Sequence, residues 1–330
     1  MVTRRQAVFA LVSGVLAPLA SFAQQPDRVH RIGFLGARSR STLANPDVYY
    51  DVWLGAMRNL GYIEGKNLVI EWRFADGKFE RLPALAAELV AMKPDVIVTH
   101  ALPPSQALKQ ATSTIPIVFA AMVDPVGSGV VTSFARPGGN ITGPSSMATD
   151  VSAKRLELLK ELIPGLFRVA LFINPLVPIH ATIFKITEDA AKALSVRVLS
   201  VEARNPEEIE LGFATLARER VNAIIVADDA VFAGQQRLMV ELALKNRMPS
   251  MFPYRENVEA GGLVCYGLSL LDSYRHAATY VDKILKGAKP GELPIEQPTK
   301  LDLIINLKTA KALGLKIPPT VLLRADRIIT

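Results

Sequence analysis

Pro94-Asp95-Val96-Ile97-Val98 leads, one helical stretch later, into Ile115-Pro116-Ile117-Val118-Phe119. The same phrase returns in the second half, where Val221-Asn222-Ala223-Ile224-Ile225 leads into Met248-Pro249-Ser250-Met251-Phe252. Each is a short apolar run entered from a polar or proline-bearing turn. Such runs alternate with amphipathic segments when a parallel sheet is covered on both faces by crossover helices. The intervals differ between the halves, so what repeats is a supersecondary plan and not a short-period solenoid.

Outward from these phrases the pattern extends over both halves. Arg31–Gly36 reads as a buried strand, followed by a helix carrying Tyr49, Val52, Trp53, Ala56, Met57 and Leu60, which Gly61 ends. Leu68–Phe74, Val96–Val98 and Ile117–Phe119 are further strands, with one helix on Leu82, Leu85, Ala86 and Leu89 and another beginning near Pro103. In the second half a helix runs through Leu156, Leu159 and Ile163. The strands there are Arg168–Ile173, Val196–Val201, Ala223–Val226 and Ser250–Phe252, with helices built on Ile209, Phe213 and Leu216 and on Leu238, Met239 and Leu242. Arg136-Pro137-Gly138-Gly139-Asn140 and Thr142-Gly143-Pro144 punctuate the seam. Beyond Gly261-Gly262 come a strand at Leu263–Tyr266, a helix with Tyr274, Ala277, Ala278, Val281 and Ile284, and an apolar run at Leu301–Asn306. Periodicity leaves open which half these last elements join.

A chain of 330 residues, half of it hydrophobic, is long enough for two domains with separate cores. Its single cysteine, Cys265, excludes a disulfide scaffold and a CxxC zinc site, and reads as a small buried apolar residue. The net charge of +7 invites a nucleic-acid reading. The lysines and arginines, however, are scattered along helix faces without the aromatic-interleaved basic runs of a nucleic-acid binder, so no nucleic-acid partner is expected. Arg4 and Arg5, the apolar run Ala7–Ala20 and the small residues of Ser21-Phe22-Ala23 read together as a signal peptide over residues 1–23. No cysteine stands near that cleavage point to carry a lipid. The expectation is a soluble protein exported to the periplasm, by the general or the twin-arginine route.

Catalytic constellations are scarce. The four histidines, His30, His100, His180 and His276, include no i, i+4 pair, and there is no GxSxG elbow, P-loop or GxGxxG. We therefore expect no enzyme, no metal and no cofactor. Candidate binding residues stand where strands hand over to helices, the carboxyl edge at which α/β sheets place ligands. They are Ala37 and Arg38, His100, Ala101 and Ser105, and Asp124 in the first half; Asn174, Asp229 and Tyr254 follow in the second, with Asp228 beside them. Each has a plainer alternative. Ser105, Asp124 and Asp229 can cap helices, Asn174 suits a turn before Pro175, and Tyr254 can be packing at the seam. Helix starts near Pro103 and Val126 would offer unpaired N–H groups to a carboxylate.

Longer motifs carry a resemblance. Leu60-Gly61-Tyr62-Ile63-Glu64-Gly65-Lys66-Asn67, Ser113-Thr114-Ile115-Pro116-Ile117-Val118, Asp124-Pro125-Val126-Gly127 and Arg136-Pro137-Gly138-Gly139-Asn140-Ile141-Thr142-Gly143 stand in order. Lys154-Arg155-Leu156-Glu157-Leu158-Leu159-Lys160, Glu259-Ala260-Gly261-Gly262-Leu263 and Ile304-Ile305-Asn306-Leu307-Lys308-Thr309-Ala310 follow. From about residue 30 to its end the chain resembles the substrate-binding proteins of ABC transporters, in the tryptophan/tyrosine-type group. The resemblance implies a type I periplasmic binding protein fold: α/β, two Rossmann-like lobes with parallel sheets joined by three hinge crossovers. Residues 24–144 and 268–298 would form lobe 1, and 145–267 and 299–330 lobe 2, with a ligand in the cleft between them. Asp124-Pro125 and Asn174-Pro175 match cleft-facing loops of such proteins. Asp229 matches an acid that often follows its strand, whereas Asp228 departs from the usual proline or threonine.

Pro144-Ser145-Ser146 is a second departure, because amino-acid-binding relatives often carry an aspartate there. Loss of that counter-ion leaves an amine-free organic acid as a competitor to an amino acid. The implied function is a periplasmic solute-binding component of an ABC uptake transporter. It would act as a monomer, capture a small carboxylate-bearing solute (an aromatic or branched amino acid or a related organic acid) and pass it to the membrane permease. An exported α/β enzyme acting on a similar solute, or a ligand-presenting partner of a membrane sensor, are the competing readings.

Overall fold

The computed structural model describes residues 28–40, 47–298 and 300–330; the signal-peptide reading lies outside the described residues. Strands β1 (His30–Gly36), β2 (Leu68–Phe74), β3 (Val96–Thr99), β4 (Ile117–Phe119) and β5 (Ile141–Thr142) form a first sheet in the order β2-β1-β3-β4-β5, parallel throughout. Its central strands are apolar along their length because helices cover both faces; all four residues of β3 are buried. Helices α1 (Val48–Asn59), α2 (Leu82–Ala91) and α3 (Leu102–Ala111) supply that cover.

The second sheet holds β6 (Arg168–Ile173), β7 (Arg197–Glu202), β8 (Ala223–Val226), β9 (Ser250–Tyr254), β10 (Val264–Leu268), β11 (Asp302–Asn306) and β12 (Arg327–Ile329). Their order is β12-β11-β10-β9-β8-β6-β7, and the β10–β11 pair alone is antiparallel. The helices of this half are α4 (Ala148–Leu162), α5 (Ile179–Ala193), α6 (Pro206–Leu216), α7 (Ala230–Gly234), α8 (Gln236–Lys245) and α9 (Arg255–Glu259).

The chain passes between the sheets three times. After β5 it enters α4, whose Leu156, Leu159 and Leu162 share a core with Val169 and Leu171 of β6. After β10 it enters α10 (Leu270–Leu285), whose Tyr274, Ala277 and Val281 pack with Phe34, Trp53 and Met57 of the first lobe. A third passage leads back to β11, followed by α11 (Leu307–Ala312) and α12 (Pro319–Leu322). Glycine is required at two of these passages. Gly143 has φ +145°, and a Cβ there would lie 2.1 Å from the Phe119 carbonyl oxygen; one on Gly267 would lie 1.8 Å from that of Pro253. The lobes are closed on one another. Ala233, Tyr254 and Leu268 of the second lobe join the apolar cluster of the first, and the Tyr49 hydroxyl donates to Gln236 Oε1 at 3.3 Å.

One local expectation is overturned. No helix starts near Val126; residues 125–131 form turns, with the N–H groups of Val130 and Val131 both donating to the Pro125 carbonyl. Gly127 and a left-handed Gly129 (φ +69°) favour that conformation over a helix. Cys265 is fully buried, and burial pushes its thiol up to about 12. Among the described residues no helix is long and apolar enough to cross a membrane.

Candidate ligand-binding site

A narrow cavity lies between the lobes at the carboxyl ends of both sheets, closed so tightly that only about 20 Å³ of it is open to a water-sized sphere. Much of its wall is apolar. Phe79, Leu102, Pro103 and Met122 line it from the first lobe, and Val177, Ile179 and Ala230 from the second. The polar groups on it are His100, Ser146, Asp228, Asp229 and Tyr254.

On the first side, β3 ends at Thr99, whose hydroxyl donates to the Leu35 carbonyl at 2.8 Å. Ala101 then takes φ +69°, a region costly for a residue with a Cβ, and its N–H donates to the Ala121 carbonyl. This kink turns His100 and Ala101 onto the cavity wall. Of the first helical positions behind them, Pro103 and Pro104 carry no N–H, so the start of α3 is a poorer anion site than its position promises. His100 is 5% exposed, its ring lies 5.5 Å from that of Tyr274, and no protein group pairs with its Nδ1. Burial, and secondarily the Arg38 guanidinium, hold it well below the usual histidine range, so it is uncharged. Ser146, at the first crossover, is buried with its Oγ likewise unpaired, while its N–H donates to the Met122 carbonyl at 2.8 Å.

On the second side, Asp229 is the N-cap of α7. Its Oδ1 accepts from the N–H groups of Val231 (2.7 Å) and Phe232 (3.1 Å), and its Oδ2 from the Asn174 side chain at 3.3 Å. Burial raises its pKa, an effect that these donors oppose. Asp228 accepts from Arg155 at 2.6 Å, and Arg155 also donates to the Tyr266 carbonyl of β10. His180 ties the two strand ends together. Its Nδ1 accepts from the Asn174 N–H at 2.8 Å, which leaves the proton on Nε2, donating to the Asp228 carbonyl at 3.0 Å.

Four of the nine residues singled out in sequence therefore stand on the cavity wall: His100, Ala101, Asp229 and Tyr254. Asn174 is fully buried behind Asp229 and orients it. Ser105 turns inward and donates to the Ala101 carbonyl at 2.7 Å. Asp124, at φ +42°, closes a turn by accepting from the Gly127 N–H. Ala37 is buried and its carbonyl accepts from the Gly77 N–H. Arg38 lies behind His100, paired with Asp47, bonded to the Tyr274 hydroxyl at 3.2 Å and set over the rings of Tyr49 and Tyr50. Arg155 and His180 were overlooked, although a signal existed. Ala148, Ser152, Arg155, Leu159 and Leu162 share the buried face of α4, and His180, Ile183, Thr187 and Ala191 that of α5. A charged or polar side chain at a core position of an amphipathic helix calls for a buried partner.

A family model described as ABC transporter substrate binding protein matches residues 47–329. The chain belongs to this family. Among solved structures, a conserved domain protein from Vibrio cholerae is 28% identical with a TM-score of 0.80, covering 91% of this chain and 100% of that one. The ABC domain of Streptococcus pneumoniae in complex with L-Trp is 26% identical with a TM-score of 0.78, covering 91% and 99%. A tyrosine-binding protein of Clostridioides difficile is 26% identical over 265 residues, 80% of this chain and 76% of that one. The two lobes, their mostly parallel sheets and the three crossovers make this a type I periplasmic binding protein fold.

Proposed function

We propose that this substrate-binding protein works in the periplasm and captures a small amino acid with an aromatic or branched side chain for its ABC permease. The observation that carries the reading is the interlobe cavity. It has an apolar wall for a side chain, and two buried polar atoms, His100 Nδ1 and Ser146 Oγ, that find no partner within the protein. Buried polar atoms are normally paired, so a polar ligand group is the natural complement. A relative solved in complex with L-Trp and another named a tyrosine-binding protein support the same class.

One chain supplies both walls, so a monomer suffices. A ligand touching both lobes binds the closed form better than the open one and shifts the hinge equilibrium by that difference. The permease would then distinguish loaded from unloaded protein by shape. Ser146 Oγ and His100 Nδ1 do not bond to one another, which weighs against a nucleophile–base pair and the enzyme alternative. A thermal-shift screen of the exported form tests the reading. L-Tryptophan, L-tyrosine or a branched amino acid raises Tm; a screen in which none does, with turnover of a solute instead, overturns it.

A further inference from the structure

The lobes also meet outside the cavity, where the end of α7 and the start of α8 reach the first lobe. None of Arg38, Tyr49, Gly234 and Gln236 lines the cavity. At Gly234 the approach needs glycine, because a Cβ there would lie 2.9 Å from Arg38 Cδ. Arg38 has little freedom to withdraw: it is paired with Asp47 and bonded to the Tyr274 hydroxyl at 3.2 Å. Gln236 makes the polar contact. Its Nε2 donates to the Glu256 carbonyl, and its Oε1 accepts from the Tyr49 hydroxyl of the other lobe at 3.3 Å. The Glu256 carboxylate in turn accepts from the Ser269 hydroxyl at 2.9 Å and the Leu271 N–H at 3.1 Å, at the start of α10. The Gln236 amide is thus oriented without help from Tyr49. Tyr49 is steadied within its own lobe by the Arg38 guanidinium, 5.0 Å from the ring centre.

We propose that Gly234 and Gln236 form a latch against Arg38 and Tyr49 that populates the closed form before a solute arrives, and so raises the affinity of every cleft ligand by one common factor. Each half of the contact is assembled within its own lobe, so closure brings together two prepared surfaces and opening separates them. A protein whose binding-competent form is only partly populated binds more weakly by that fraction. A contact made only on closure raises the fraction, and the gain is the same whatever occupies the cavity. Residues on the cavity wall choose among ligands, while the latch sets the scale for all of them. The affinity half of the proposal rests on the solute-binding reading; the closure half does not.

Gln236→Met keeps the side-chain length and removes both amide contacts, whereas Tyr49→Phe removes one hydroxyl. Small-angle X-ray scattering without added solute should give each variant a larger radius of gyration than wild type. Adding Tyr49→Phe to Gln236→Met should change nothing more, since either substitution breaks the same hydrogen bond. Calorimetric titration with L-tryptophan, L-tyrosine and L-leucine should show every amino acid that binds weakened by the same factor, about 3–10-fold in each variant. Gly234→Leu wedges the lobes apart and should weaken binding at least about tenfold; the two subtler variants decide the matter if it does not fold. A radius of gyration unchanged in the variants, an unchanged affinity, or losses that differ between ligands overturns the latch while the solute reading stands. If no amino acid binds the wild type, the solute reading fails, and the scattering comparison alone decides the latch.

Discussion

Arg155 donates to Asp228 Oδ2 at 2.6 Å, and neither side chain is more than 4% exposed. A pair this deep adds little net stability, because desolvation of two charges offsets their attraction, but removing one member leaves a bare charge in the interior. Arg155→Met should cost about 3–5 kcal/mol. The double variant Arg155→Met/Asp228→Leu should recover most of that loss. Denaturant unfolding of both variants checks the asymmetry.

His100 gives the opposite signature. Its Nδ1 is buried without a protein partner, an arrangement that costs about 1–3 kcal/mol until a ligand answers it. His100→Leu should leave the unliganded protein as stable as wild type or slightly more so, while ligand affinity falls at least about tenfold. Paired measurements of Tm and of Kd report the two effects separately.

Asp229 makes stability depend on pH with a definite sign. Burial raises its folded pKa above the ordinary 3.8, so the folded chain holds this proton more tightly than the unfolded one. Its contribution is complete below about 3.8 and is lost as pH rises through the higher folded value. The Tm difference between wild type and Asp229→Asn should therefore shift against the wild type as pH rises through that window. Glu256, raised for the same reason, cancels in the comparison.

Gly143 tests the crossover. Its φ of +145° and the 2.1 Å separation that a Cβ would have from the Phe119 carbonyl leave no room for a side chain. Gly143→Ala should destabilise by about 1–3 kcal/mol or more, seen as a lower denaturant midpoint. Gly139→Ala nearby, where a Cβ meets nothing within 4 Å, serves as the control.

The longer strands were legible in the sequence because strands buried on both faces are written as continuous apolar runs, as in β1, β3, β6 and β8. β5 has only two residues, and β12 opens on an exposed arginine, so neither presents the buried apolar run by which β4, itself three residues long, is read. The strand ends that carry His100, Ala101 and Asp229 could be named, since α/β sheets put ligands there. Phe79 could not, because it stands on a single 3-10 turn, Phe79–Arg81, between β2 and α2, and no local pattern records that it reaches the cavity. Ser105 and Asp124 misdirect for a local reason: both bond backbone within four residues, a role their short side chains fill as readily as ligand contact. Arg155 is hidden inside a helix pattern counted only for its apolar members, and the sequence reading places no helix over Ile179–Ala193, so His180 has no pattern to stand out from.

The central claim is that one aromatic or branched amino acid binds between the lobes, against His100 and Asp229. Calorimetric titration of wild type, His100→Leu and Asp229→Asn with L-tryptophan and, in parallel, a branched amino acid tests it most directly. The account predicts one site per chain for at least one of these ligands, with affinity reduced in both variants and folding retained. Binding of equal strength in all three proteins, or no binding of any such amino acid by the wild type, would contradict it.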